Sequence, residues 1–303
     1  MSARRHVERA LRFIAENLER PLTLHELARA AHLSDFHFHR VFHAEVGESP
    51  GHFITRRRLE LAALRLAYEP ERSVTDIALS SGYSSSSNFT KAFTGYFGCS
   101  PTDARTARSA GSELGKLTAR YGKNFDPREL YTLAPASDRS VEARRWNERV
   151  RFETIDERPL AALSCPDGYD LEAVAETWTR MLALSKQLGL WSDGADAWGA
   201  PRDSPHLTAA SLIRYDACLP CLAETSLPDP LFHTTMLAGR YAVFSWEGPA
   251  LQVGDAHRSI YSCWFPQSAY VPEDYEPLDH YVTGFPRDGR VELELWFRVR
   301  ATT

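Results

Sequence analysis

Apolar residues recur at helical spacing through the first third of the chain. Val7, Ala10, Leu11, Ile14 and Leu18 trace one face of a first helix, which Pro21 ends. Thr23 and Glu26 have the T-x-x-E form of a capping box and open a short helix through Leu24, Leu27 and Ala28. Leu33-Ser34-Asp35 reads as a turn into an N-cap, and Phe38, Val41, Phe42 and Val46 give the next apolar face, closed at Gly47. A short helix, a tight turn and a second amphipathic helix make the helix-turn-helix pattern. The pattern then returns. Ser73 and Asp76 form an S-x-x-D box, Ile77-Ala78 repeats Leu27-Ala28, and Ser84 repeats Ser34. Phe89, Lys91, Phe93, Gly98 and Pro101 repeat Phe38, Arg40, Phe42, Gly47 and Pro50. The offset changes from 50 to 51 across the turn, so one residue is inserted there.

Beyond this repeat the periodicity changes. Residues 109–148 hold Ser109, Gly111, Gly115, Pro127 and Pro135 and read as a linker. A short ordered piece is expected around 121–131, and a short helix or lead-in at 141–148. Strands are predicted at 151–155 and 159–163, then a long helix through Leu171, Val174, Trp178, Leu182 and Ser185. Strands near 209–215, 233–237 and 240–246, a helix near 253–265, and strands near 279–283 and 291–299 complete the reading. The last strand alternates strictly, with Val291, Leu293, Leu295 and Phe297 on one face and Glu292, Glu294, Trp296 and Arg298 on the other. The order strand–helix–strand–strand occurs twice, which predicts an α+β domain with an antiparallel sheet.

Composition adds bounds. The 303 residues, 43% hydrophobic and 25% charged, suit two globular domains. Five unevenly spaced cysteines argue against a disulfide framework and for a reducing cytoplasm. No stretch approaches the ~18 apolar residues of a membrane helix, and no apolar run follows the N-terminus as in a secretory signal. The net charge of −5 divides unevenly. Residues 1–108 carry 15 basic and 12 acidic side chains, and the remainder 20 and 28. The mildly basic part suits nucleic acid and the acidic part does not. Residues 50–68 read as one helix, roughly 28 Å long at ~1.5 Å per residue. Such a spacer suits two recognition helices about one duplex turn, ~34 Å, apart.

Two resemblances follow. Asp76-Ile77-Ala78, Gly82-Tyr83-Ser84, Asn88-Phe89, Lys91-Ala92-Phe93 and Phe97-Gly98-Cys99-Ser100-Pro101 resemble the second helix-turn-helix of AraC/XylS-type transcription regulators. Leu33-Ser34, Phe38, Arg40-Val41-Phe42 and Gly47-Glu48-Ser49-Pro50 resemble the first. Residues 1–108 are thereby expected to form an all-α bipartite DNA-binding domain. The resemblance implies contacts to promoter DNA at Phe36, His39, Arg40, Ser85, Ser86, Asn88 and Lys91. Chemically, Arg40 and Lys91 can donate to guanine O6 and N7 or to phosphate, Asn88 can pair with an adenine edge, and Phe36 can touch a thymine methyl. Arg56-Arg57-Arg58 reads equally as a phosphate contact or as solvation of the linker helix. His39 and His43 are spaced i,i+4, but on a recognition helix they read as solvated or DNA-facing rather than as metal ligands.

The second resemblance covers residues 149–303. Arg214-Tyr215-Asp216-Ala217-Cys218, Ala238 to Phe244, Glu247-Gly248-Pro249 and Leu293-Glu294-Leu295-Trp296 resemble a GyrI-like effector-binding domain with a duplicated β-α-β-β sheet. The whole is similar to Rob-like regulators. The resemblance implies an aromatic-lined pocket for a lipophilic, often cationic, small molecule, with Glu294 as its carboxylate. Trp296, Tyr281, Trp178, Trp246 and Trp264 are candidate walls, each also a candidate core residue. A carboxylate among aromatic faces favours a desolvated cation by ~2 kcal/mol or more per good contact. No cofactor, metal or catalytic residue is expected: the lone Cys218–Cys221 pair lacks zinc or thioredoxin context, and no hydrolase or nucleotide motif is present. The expected protein is a cytoplasmic bacterial regulator, monomeric or homodimeric, that meets promoter DNA, RNA polymerase and an effector but no membrane. The alternatives are a GyrI-like hydrolase tethered to DNA, and a ligand-independent DNA binder whose second domain contacts proteins.

Overall fold

The computed structural model describes residues 3–107, 136–190, 196–204, 207–274, 276–282 and 289–302. The chain divides into two compact units, residues 1–128 with 206–212, and residues 129–205 with 213–303.

The first unit is helical. Helix α1 (Ala3–Asn17) buries Val7, Ala10 and Ile14. Helix α2 (Leu24–Ala30) opens on the complete capping box: the Thr23 N–H donates to Glu26 at 2.8 Å, and the Glu26 N–H donates to the Thr23 hydroxyl at 3.2 Å. That backbone donor, with the Thr23 hydroxyl and Arg20, lowers the Glu26 carboxyl to about 2. Helix α3 (Asp35–Val46) follows, then α4 (Pro50–Tyr68), α5 (Val74–Ser80), α6 (Ser86–Phe97) and α7 (Pro101–Ala107).

The repeat read from the sequence is a repeat of caps. Helix α3 starts at Ser34 and stops at Gly47, and α6 starts at Ser85 and stops at Gly98; both glycines are left-handed, at φ 82° and 75°. The counterpart of Ser34 is therefore Ser85 rather than Ser84, because the inserted residue lies before the cap. In the first turn His32 takes φ 54°, where the second has Gly82 at φ 79°. Gly82 leaves room for the Arg58 guanidinium, which lies 2.8 Å from where a Cβ would be. One core takes Phe38, Phe42 and Phe53 with the buried faces of α1 and α2. Phe89, Phe93 and Phe97 pack in series as tilted ring pairs, centroids 5.4 and 4.5 Å apart, in the second repeat. Helix α4 is buried on most of its circumference, including Phe53, Leu59, Leu64 and Leu66. Among the described residues, no helix is long and apolar enough to cross a membrane.

The second unit begins with α8 (Ala136–Asn147). The short helix or lead-in expected at 141–148 is the second half of this helix, which starts earlier, inside the stretch expected to be linker. Its apolar signal is weak: among its described residues, Ala143 and Trp146 are the buried ones. The expected piece at 121–131 lies outside the described residues. The strands are β1 (Val150–Ile155), β2 (Arg158–Cys165), β3 (Ala197–Pro201), β4 (Tyr215–Pro220), β5 (Phe232–Met236), β6 (Gly239–Pro249), β7 (Tyr270–Pro272), β8 (Leu278–Tyr281) and β9 (Arg290–Ala301). Helix α9 (Leu171–Gln187) and helix α10 (Val253–Ser259), continued by a π-helical turn through Trp264, complete the unit. The strand predicted at 209–215 is instead a 3-10 turn (Ala210–Leu212) followed by β4. Strands β3 and β7 carry no alternating signal, since Ala-Trp-Gly-Ala-Pro and Tyr-Val-Pro hold the residues that usually break strands.

All strand pairs are antiparallel, in the order β1-β6-β9-β8-β3-β4-β2-β5, with β7 on β9. The two copies, β2-α9-β3-β4 and β6-α10-β8-β9, meet where β3 pairs with β8. This is the duplicated β-α-β-β arrangement. Because side chains alternate along a strand, the register assigns each residue to one of two sheet faces.

Candidate nucleic-acid and ligand sites

Burial of Phe38, Phe42 and Val46 turns the opposite side of α3 outward. That side presents Asp35, Phe36, His39, Arg40 and His43, which with Leu24 line a groove of about 420 Å³. Phe36 is 82% exposed at the start of the helix. Asp35 accepts a contact from His25 at 3.2 Å, while Arg40 is exposed and has no protein partner among the described residues. On α6 the outward positions are more polar. The Ser85 hydroxyl accepts the Asn88 N–H at 3.2 Å, and the Asn88 side-chain amide donates to Ser84 at 3.3 Å. Ser85 and Ser86 are half-buried, while Asn88 and Lys91, one turn apart, are exposed. The structure thus brings Phe36, His39 and Arg40 to one surface of α3, and Asn88 and Lys91 to one surface of α6. Ser85 is committed to its cap.

Arg56-Arg57-Arg58 is not a phosphate-facing triplet. Arg56 is 3% exposed. It reaches Glu48 at 2.6 Å and Glu60 at 3.0 Å. Arg57 reaches the other oxygen of Glu60 at 3.2 Å. Arg58 donates to the carbonyls of Leu18 and Arg20, and burial lowers its pKa. The triplet's cations are used inside the fold, because α4 is surrounded and its polar groups must find internal partners. Residues 206–212 belong to the same unit, and there the Thr208 hydroxyl donates to Glu60 at 2.7 Å. The hydroxyl of Tyr96 donates to the Leu207 carbonyl at 3.1 Å.

In the second unit, Glu294 and Trp296 lie on one face of β9, and the indole N–H donates to the carboxylate at 3.2 Å. The neighbouring strands bring His280, opposite Glu294, and Trp198, opposite His280. His280 meets Glu294 at 3.1 Å and stacks on Trp198 with centroids 4.3 Å apart. Trp198 and Tyr241 pack edge-on against Trp296 at 5.3 and 5.7 Å. From β1, Arg151 reaches Glu294 at 2.9 Å and lies 5.8 Å from the Trp296 ring centre. Burial works to raise the Glu294 carboxyl, but the hydrogen bonds from Arg151, His280 and Trp296 outweigh it and hold it below its ordinary value.

Residues 27–107 match the family described as "Helix-turn-helix domain", and residues 148–300, about half of the chain, match "GyrI-like small molecule binding domain". The chain belongs to the AraC/XylS-type regulators that carry a GyrI-like domain. An uncharacterised HTH-type transcriptional regulator of Haemophilus influenzae is 40% identical over 86 residues, 28% of this chain and 28% of that protein. The regulatory protein SoxS of Salmonella typhimurium is 31% identical over 105 residues, 35% of this chain and 97% of that protein. Among solved structures, the C-terminal domain of AraT, a response regulator from Geobacillus stearothermophilus, is 30% identical. It covers 36% of this chain and 89% of that chain, with a TM-score of 0.33. The chain spans 28% to 42% of the length of the first curated relatives it matches.

In this AraC/XylS-type regulator the six expected pocket residues do not share one face. Glu294 and Trp296 are together. Tyr281 pairs with Leu293, and so does Trp246, which puts both on the opposite side of the sheet. Trp178 of α9 packs on Tyr281 there, at 5.2 Å, and donates to the Tyr215 hydroxyl at 3.0 Å. Trp264 stands against Phe244 and donates to Asn147 of α8 at 2.7 Å. Trp178 with Tyr281, and Trp264 with Phe244, hold helices to the sheet; a single pocket lined by all six does not form. Missed instead were Trp198, His280, Tyr241 and Arg151. Only Arg151 and Tyr241 had a signal, through the alternation of their strands. Near the Cys218–Cys221 pair, burial pushes the Cys221 thiol up to about 11, so it stays protonated at neutral pH.

Proposed function

We propose that this regulator reads promoter DNA through α3 and α6 of residues 1–108 and senses a small molecule at the Glu294 face of residues 149–303, with the part of 109–148 that precedes α8 as their connection. The observation that carries the DNA reading is the pair of equivalent helices, each capped by serine and glycine, whose outward cations Arg40 and Lys91 have no protein partner among the described residues. Phe36, His39, Asn88 and Ser86 complete the contact set, and Ser85 supports it as the cap. A single chain offers both helices, so a monomer suffices and a homodimer is not needed. The expected setting is the bacterial cytoplasm, with RNA polymerase as partner.

Arg40→Ala is expected to weaken binding to a cognate promoter fragment by ~1–3 kcal/mol, roughly 5–150-fold, at fixed salt. Lys91→Ala is expected to weaken binding evenly across sequences and to lower the salt slope by about one unit. Fluorescence anisotropy with cognate and scrambled duplexes reads both; unchanged affinity in Arg40→Ala removes its base-reading role.

The ligand reading rests on a carboxylate held ionised beside aromatic rings. Such a group suits a lipophilic or cationic ligand better than the proton donation a hydrolase would ask of it. Tryptophan fluorescence titration with lipophilic cations and their neutral isosteres is expected to show saturable binding of the cations. Glu294→Gln is expected to abolish it with folding intact. Binding unchanged in that variant would remove Glu294 from the site.

A further inference from the structure

Glu294 already has a cation. The Arg151 guanidinium places one nitrogen 2.9 Å from a Glu294 oxygen and its carbon 5.8 Å from the centre of the Trp296 ring. These are the two contacts that would recognise an organic cation here. Arg151 is nevertheless loosely held: its side chain is 42% exposed, against 19% for Glu294. An ion pair that exposed is weakened by solvent, so it can be exchanged. Arg151 also has somewhere to go. Glu153, two residues along β1 on the same face, accepts from its Nε at 3.0 Å. Of the rings beneath, Trp296 is the one that Arg151 covers; it is 6% exposed and shares a core with Trp198, Tyr241 and Leu278.

We propose that Arg151 is a built-in occupant of the ligand site and a specificity-determining residue. It competes with an external cation for Glu294 and the Trp296 face, and retires onto Glu153 when that cation binds. This rests on the ligand reading above and deepens it. A small hydrated cation gains nothing by displacing an equivalent guanidinium. An organic cation with an apolar body also gains the Trp296 face that the guanidinium leaves. The site therefore selects lipophilic cations over simple ones by internal competition.

The test uses the full chain and benzyltrimethylammonium as probe, followed by tryptophan fluorescence, with its uncharged carbon isostere as control. Arg151→Gln is expected to bind the cation about fivefold more tightly than the parent, a change of ~1 kcal/mol. Arg151→Lys keeps a competing charge and is expected to stay near the parent. Glu153→Gln, which removes the resting place, is expected to weaken binding severalfold in the parent and to have little effect in the Arg151→Gln background. That non-additivity separates exchange between two carboxylates from the general effect of removing charge. Cation binding to the parent that Arg151→Gln does not tighten, or two additive effects, would overturn the proposal and leave the ligand reading standing. Absence of cation binding in both the parent and Arg151→Gln would overturn both.

Discussion

Arg56→Ala is expected to destabilise the helical unit by ~3–5 kcal/mol, the usual consequence of removing one partner from a buried ion pair. The alanine leaves Glu60, 1% exposed, with only Arg57 and Thr208, and leaves Glu48, 8% exposed, without its arginine. Neither carboxylate can recover its hydration without opening the helices around α4. The attraction itself is not the main quantity lost; the uncompensated charge is. Replacing all three charges together, as Glu48→Gln, Arg56→Met and Glu60→Gln, is therefore expected to cost far less than Arg56→Ala alone. Denaturant unfolding of both variants, beside promoter affinity in the folded state, checks this. A small stability change in Arg56→Ala together with a large loss of DNA affinity would return Arg56 to a phosphate-contact role.

Phe38→Ala is expected to cost ~3–5 kcal/mol of stability, while Phe36→Ala, two positions away, is expected to change stability by less than ~0.5 kcal/mol and to weaken DNA binding. Phe38 is fully buried, with its ring 5.4 Å from Phe42, and Phe42 in turn packs on Phe53 at 5.5 Å. Its removal leaves a cavity among rings carried by α3 and α4, whose backbones cannot both move inward. Phe36 stands 82% exposed on the groove shared with Leu24, His39 and Arg40. A large apolar side chain left in water at the start of a recognition helix is positioned to meet a thymine methyl. Thermal unfolding and anisotropy on the two variants separate the roles. Equal stability losses would mean that Phe36 packs against protein in solution.

The fate of those two phenylalanines was legible because a helix has a fixed period: a residue that continues the i, i+4 series with Phe42 faces the core, and one two positions away does not. The same regularity made the double repeat, its caps and the strict alternation of β9 readable. The duplicated order was legible in part: β2, α9, β6, α10, β8 and β9 had local signals, while β3 of the first copy had none. The arginine triplet on α4 was not legible. Helical spacing says which residues share a side, but α4 is surrounded, and whether its sides meet water depends on segments distant in sequence, down to Thr208.

What the sequence by itself determined, then, is the elements with a clear period, their caps and the outward residues of α3 and α6, because those depend on dihedral preferences and on periods of 3.6 and 2; β3 and β7 have no such period. Only the tertiary structure decided which sheet face each aromatic residue occupies. Strand register assigned Trp296 to the Glu294 face and Tyr281 and Trp246 to the other, on which Trp178 and Trp264 pack from helices. It also brought His280 and Arg151, from two other strands, onto one carboxylate, and Trp198 from a third against His280. Pairing between strands far apart in the chain carries no local signature, so a site assembled across four strands exists only once the sheet has closed.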